Sequence, residues 1–458
     1  MALTVLQRRG LAHLVHPGMD QDVPARDAPP VIVGGDGVHV VDETGKRYIE
    51  ACAGLSAILG FGERRLAEAA VRQMRALPYY HLFNRTHPPA IDLAAALIRI
   101  APRSPDAPPF ARVLLQSSGA EANDTAIRLA WAYFDGIGQP QRRKIVSFDR
   151  SIHGSTVATS ALSGFPPAAP EPAGLPCRHA PSPYAYRRRR DAETEDAFAA
   201  RMAAALEALI LTEGPDTIAA VFAEPLQISG GVIPPPDGYF PRVQALLRRH
   251  GILFVVDEVL SGFGRTGATW GCETWSLQPD LLTCARTLSA AYQPVGALLM
   301  REAMHDVLRA QSRRLRLFEG GSHGAHPVSC AVAVEALRIY EADAIEAHVR
   351  RVAAKFLAAL HGLAAHPLVG DVRGVGLAAG IELVADQAQR TQFDPARRVG
   401  ARVVAACQGV GLLVGVVEDC IVVTPPLIVT ETEIDELVAR LRRGLDAVWE
   451  EEVNAGAG

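Results

Sequence analysis

No lysine stands between Lys144 and Lys355, so chemistry in the middle of this chain that needs a neutral primary amine has none to draw on. A run of roughly 18 apolar residues is also missing, which excludes a conventional membrane-spanning helix. The segment MALTVLQRRGLAHLVHPGMD carries two arginines but no apolar stretch of signal-peptide length, so cytoplasmic residence is the expectation. The cysteines, Cys52, Cys177, Cys272, Cys284, Cys330, Cys407 and Cys420, form no CxxC pair, and no histidine cluster has ligand spacing. This pattern argues against a metal site and for reduced, buried thiols. Positive charge is not in surplus: the formal net charge is −4, which speaks against nucleic acid or an anionic membrane as partner.

What is present is the balance of a globular protein, with 49% apolar and 21% charged residues. At 458 residues the chain exceeds the size of a single core, so two lobes are expected. Short apolar runs at Val113–Leu115, Ile145–Phe148, Ile218–Ala223, Ile252–Val256 and Val295–Met300 alternate with amphipathic stretches such as Ala122–Phe134 and Tyr239–His250. This alternation predicts an α/β architecture with a mostly parallel central sheet and helices on both faces. From Ala331 helical periodicity returns, followed by short strands around Val372–Val384 and Ile421–Val423, which predicts a smaller C-terminal lobe. Residues 164–184 carry seven prolines and read as a surface excursion that ends in the run Arg187 to Arg190.

In parallel sheets ligands gather at the carboxyl ends of strands, and the polar residues here fall there. Ser117-Ser118-Gly119-Ala120 follows the first run and opens a helix, where free N–H groups and the helix dipole favour an anion. The bland alternative is an ordinary N-cap. Asp257 follows five apolar residues, so its carboxylate ends a buried strand and needs a partner, either a ligand or nearby backbone amides. His153-Gly154 and Glu224-Pro225 end two other strands. His153 and His323 are candidate proton shuttles, with a structural hydrogen-bonding role as the alternative.

The segment ILFVVDEVLSGFGRTG, the loop SSGAEAND and the segment AEPLQISGG together resemble the class III (ω-amino-acid) aminotransferases, pyridoxal-phosphate enzymes of fold type I. The resemblance runs from VIVGGDGVHVVDETGKRYIEACAGLSA to TPPLIVTETEIDELVARL. It implies a large cofactor domain over residues 71–325 and a small α+β domain assembled from residues 1–70 and 326–458. It also implies a phosphate site at Ser118, Gly119 and Ala120, and Asp257 on the ring nitrogen. Glu224 and Gln227 would lie beside the ring hydroxyl, with Ile152 and Val259 against the ring faces. The family supplies its Schiff-base lysine from an Ala-Lys-Gly-Leu segment. This chain reads Ala285-Arg286-Thr287-Leu288. A guanidinium is neutral in fewer than roughly one molecule in 10⁵ at pH 7, so Arg286 cannot be a covalent anchor.

Other departures accompany it. Ile152 stands where relatives have an aromatic ring, Ser56 where many have tryptophan, and residues 319–325 are rewritten although Ser322 keeps the hydroxyl that in the family reaches the neighbouring subunit's phosphate. No arginine precedes the Pro-Pro-Leu segment as a carboxylate receptor. Together these changes read as natural divergence. The expectation is a homodimer that binds pyridoxal or pyridoxamine phosphate without a covalent link, or no cofactor at all, together with a small anionic substrate. In the first reading the site is repurposed and Arg286, His153, His323 or Glu319 carries new chemistry. The alternatives are a non-catalytic binding or regulatory pseudoenzyme and an ω-aminotransferase inactivated by a Lys-to-Arg substitution.

Overall fold

The structure, a computed structural model, describes residues 3–17, 28–104, 107–165, 174–311 and 320–456. Its central sheet has seven strands in the spatial order Phe110–Gln116, Gly296–Arg301, Leu281–Cys284, Leu253–Asp257, Ile218–Ala223, Lys144–Phe148, Cys177–Ala180. Gly296–Arg301 is antiparallel to both neighbours, and the four pairings beyond Leu281–Cys284 are parallel. All six residues of Ile218–Ala223 and all five of Leu253–Asp257 are buried, as continuous apolar runs covered on both faces must be. Side chains alternate across the sheet. Val221, Phe254, Val256 and Leu282 join one apolar cluster with helices Glu195–Glu213 and Tyr239–His250, whereas Ala220, Phe222, Val255 and Leu281 join another with helix Gly119–Gly136.

A second seven-stranded sheet combines strands near both ends of the chain. Arg47–Ala51 pairs in parallel with Leu412–Val417, which links the hairpin elements Ile32–Asp36 and His39–Asp42 to Cys420–Val423, Ala378–Leu383 and Val369–Val375. The two lobes are tied together beside the site by Arg265. Its fully buried guanidinium donates from Nη1 to the carbonyls of Leu377 at 2.9 Å and Pro425 at 2.7 Å, and from Nη2 to that of Gly54 at 2.7 Å. Burial without a carboxylate partner pulls its pKa down to about 9.

Two strands of the central sheet escape the sequence reading. Cys177–Ala180 lies inside the segment taken as a surface excursion and pairs with Lys144–Phe148 as the sheet edge. Leu281–Cys284 fills the centre of the sheet. Half of the arginine run is spent on internal ion pairs: Arg187 reaches Glu382 of the second sheet at 2.7 Å and so ties the lobes, and Arg188 pairs with Asp149 beside the central sheet. All seven cysteines are free thiols.

Candidate active site

The carboxyl ends of the central strands open into a cavity of about 420 Å³. Its wall includes Ser56, Ser117 to Ala120, Ile152 to Ser155, Ser229, Asp257, Val259, Leu260, Ala285, Arg286 and Gln293. Asp257 is 4% exposed and is held from three directions. The Val259 amide donates to Oδ1 at 3.0 Å, while Asn123 Nδ2 at 2.7 Å and His153 Nδ1 at 2.9 Å both meet Oδ2. Asn123 is fixed in turn, giving a second hydrogen bond to the His153 carbonyl at 2.8 Å and receiving one from Thr283 Oγ1 at 2.8 Å. A carboxylate with so many donors has one orientation, and any ligand it meets finds a preset acceptor.

This network reassigns His153. Its side chain is fully enclosed, edge-on to Phe222 at 5.9 Å, and spends Nδ1 on Asp257. Through Nδ1 it holds Asp257 in place, and its buried Nε2 has no hydrogen-bond partner among the described residues. Asn123 and Thr283 were missed by sequence reasoning, although an asparagine within the small-residue stretch Ala120–Ala126 is a usable signal for a buried polar contact.

Across the cavity, Ser118 is the N-cap of helix Gly119–Gly136, its Oγ accepting the Glu121 amide at 3.2 Å. The cap and the anion site are therefore the same feature: the hydroxyl closes the helix, and first-turn N–H groups have no partner within the helix. Residue 119 must be glycine, because a Cβ there would stand 2.8 Å from Val259 Cγ2. Gly154, at φ +143°, brings its backbone so close that a Cβ would lie 2.7 Å from Ala120 Cβ. Both close approaches shape the cavity wall around Ala120.

Arg286 opens the short 3₁₀ turn Arg286–Ser289. It lines the cavity and is exposed, and its guanidinium has no hydrogen-bond or ion-pair partner among the described residues. Arg286 does not pair with Asp257, which keeps its carboxylate for the cavity. Glu224 and Gln227 do not line this cavity. Both are 5% exposed and brace the loop beneath it, Glu224 Oε1 accepting the Ile152 amide at 3.1 Å and Gln227 Nε2 donating to Ser151 Oγ at 2.9 Å. Burial pushes the Glu224 carboxyl well above its ordinary range, and the nearby Asp257 charge adds to this. Ile152 itself is 42% exposed on the wall, with Val259 also present.

The structure leaves Ser322 and His323 outside the cavity. Both are exposed; the Ser322 carbonyl accepts Tyr79 Oη at 2.8 Å, and the His323 ring lies 5.8 Å from that of Tyr79. Glu319 lies outside the described residues. Among the described residues no group of three or more histidine, cysteine or acidic side chains is placed to hold a metal.

The fold, with its preset aspartate at the end of a central parallel strand and a helix N-terminus in the same cavity, is the α/β fold of pyridoxal-phosphate-dependent transferases. The family model for class III aminotransferases matches residues 22–445, and the chain belongs to that family. It is 41% identical over 428 residues to a probable mitochondrial γ-aminobutyrate transaminase 3 of Oryza sativa subsp. indica, covering 92% of this chain and 83% of that one. A chloroplastic γ-aminobutyrate transaminase 3 of Solanum lycopersicum is 41% identical over 423 residues, covering 91% and 80%. Among solved structures, the ω-transaminase of Pseudomonas jessenii in complex with PMP superposes with a TM-score of 0.94 at 37% identity, covering 98% of this chain and 99% of that one. Class III aminotransferases use pyridoxal or pyridoxamine phosphate.

Proposed function

We propose that this protein is an ω-aminotransferase by descent that holds pyridoxal or pyridoxamine phosphate without a covalent link, because Arg286 occupies the position of the anchoring lysine. The observation that carries the reading is Arg286 itself: a permanent cation on the cavity wall, unpartnered, beside an Asp257 that remains free for a ligand. The transaminase relatives extend along almost the whole chain, so an inactivated or weakened transaminase is favoured over a fold recruited to a different reaction.

When bound, the cofactor supplies an electron sink for charge that develops beside the transferred nitrogen. The residues fit it. Asp257 would hold the protonated ring nitrogen, in an orientation set by Asn123, His153 and the Val259 amide. Unpaired first-turn N–H groups of the helix beginning at Gly119 would hold the phosphate, and the missing Cβ at Gly119 keeps that approach open. Ile152 and Val259 offer aliphatic surface to a ring. Glu224 and Gln227 act through the Ser151–Ile152 loop. What the chain lacks is a neutral amine to anchor the cofactor and move a proton, and a guanidinium does neither at pH 7.

The proposal includes a cytoplasmic homodimer in which Ser322 reaches the neighbouring site. Exposed Tyr79, Tyr80, Leu82 and Phe83 around that segment support an interface there. Titration of the purified protein with pyridoxal and pyridoxamine phosphate tests the reading: both should bind reversibly and leave on gel filtration. Failure of both to bind would overturn it.

A further inference from the structure

We propose that Arg286 is the receptor for a carboxylate of the small-molecule substrate, so that the site selects amino and oxo acids over uncharged amines and carbonyls. The inference rests on the cofactor reading above and deepens it. Among the described residues, three ionisable side chains belong to the cavity wall: Asp257, His153 and Arg286. The His153 imidazole is enclosed, and Asp257 is 4% exposed with three donors already on its oxygens. With Asp257 taken up by the cofactor ring, the charge left for a substrate is that of Arg286, and it is positive.

Interior arginines elsewhere among the described residues have hydrogen-bond partners. Arg265 donates to three backbone carbonyls, Arg142 to the carbonyls of Pro215, Ile218 and His250, and Arg373 to Glu382 and Asp371. Arg286 stands on a cavity wall with its donors unspent. A planar guanidinium presents a fork of N–H donors that matches a carboxylate through two parallel hydrogen bonds, which a lysine at the same place does not offer. The helix N-terminus at Gly119 already provides the cavity's phosphate site, which leaves the guanidinium for the second anion. Ser56, Ser229 and Gln293 add neutral polar groups, so among the described residues the wall carries no acid besides Asp257.

The test is calorimetric, on protein whose pyridoxamine phosphate affinity has first been measured. Pyruvate and its uncharged methyl ester are titrated into the loaded wild-type protein and into Arg286→Gln. Pyruvate is expected to bind at least tenfold tighter than the ester, Arg286→Gln to abolish that preference, and Arg286→Lys to retain part of it. Equal affinities for acid and ester in the wild type, or a preference that survives in Arg286→Gln, would overturn the assignment. If Arg286→Gln does not fold, the acid and ester comparison on the wild type decides alone. If pyridoxamine phosphate does not bind, the functional reading fails separately, and the same comparison on cofactor-free protein still decides the role of Arg286.

Discussion

Replacing Asp257 by asparagine removes one charge and leaves the shape almost unchanged, and the structure gives the size of the effect. Oδ2 accepts from Asn123 Nδ2 and His153 Nδ1, and Oδ1 accepts from the Val259 amide, so an asparagine must turn its NH₂ group toward at least one donor. With the NH₂ at Oδ1 it opposes Val259 N–H. With the NH₂ at Oδ2 it opposes Asn123, even after His153 changes tautomer to accept. One buried donor is thus stranded in either case, at a cost of about 1–3 kcal/mol in stability. The ligand loses more specifically: a charge-assisted hydrogen bond to a protonated ring nitrogen is worth about 1.5–3 kcal/mol, or roughly a 10- to 150-fold change in Kd. Calorimetric titration with pyridoxamine phosphate measures the second effect, and urea unfolding without ligand measures the first. An Asp257→Asn protein that binds pyridoxamine phosphate within twofold of wild type would refute the ring-nitrogen role and with it the geometry argued for the site.

Gly119→Ala places a Cβ 2.8 Å from Val259 Cγ2 and 3.4 Å from Ala285 Cβ; stability should fall by about 1–3 kcal/mol and cofactor affinity with it. Adding Val259→Ala should recover a good part of the stability, and strict additivity of the two changes in urea melts would contradict the contact. Glu258 is fully buried, and burial raises its carboxyl from the ordinary 4.5 to about 6. Its folded pKa exceeds its unfolded one, so its contribution is fully present below pH 4.5 and is lost as pH rises through about 6, by about 2 kcal/mol. The stability difference between wild type and Glu258→Gln should therefore shift against the wild type across that window, and a shift in its favour would contradict the burial argument. Light scattering at micromolar concentration should give a dimer, and a charge introduced at exposed Leu82 should produce a monomer with weakened cofactor binding.

Much of this architecture is readable from local pattern. Ile218–Ala223 and Leu253–Asp257 carry the continuous apolar signature of strands buried on both faces, and a carboxylate at the end of such a run demands a partner, which made Asp257 legible. Cys177–Ala180 was not, because an edge strand of sequence Cys-Arg-His-Ala, mostly outside the core, has no apolar pattern to read. Leu281–Cys284 is too short to distinguish from a loop without its neighbours. His153 was read as an open titratable group because its environment is set by Asp257, 104 residues away, and by Asn123 on another element. Likewise, Glu224 and Gln227 have the right residue types for a cofactor contact, but the backbone turns them under the Ser151–Ile152 loop, and no local pattern records that turn. Arg286 was legible as a cation at the anchoring position, but sequence does not record what its guanidinium faces. The structure leaves it exposed and unpaired, which moves the question of its partner from the protein to the ligand.

The central claim, that the site binds its cofactor without a covalent anchor, is tested most directly by borohydride treatment of the pyridoxal-phosphate-loaded protein followed by mass spectrometry of the whole chain and its peptides. The account predicts an intact mass unchanged by reduction in the wild type and a single cofactor adduct at residue 286 in Arg286→Lys. A reduced adduct on the wild-type active site would contradict it.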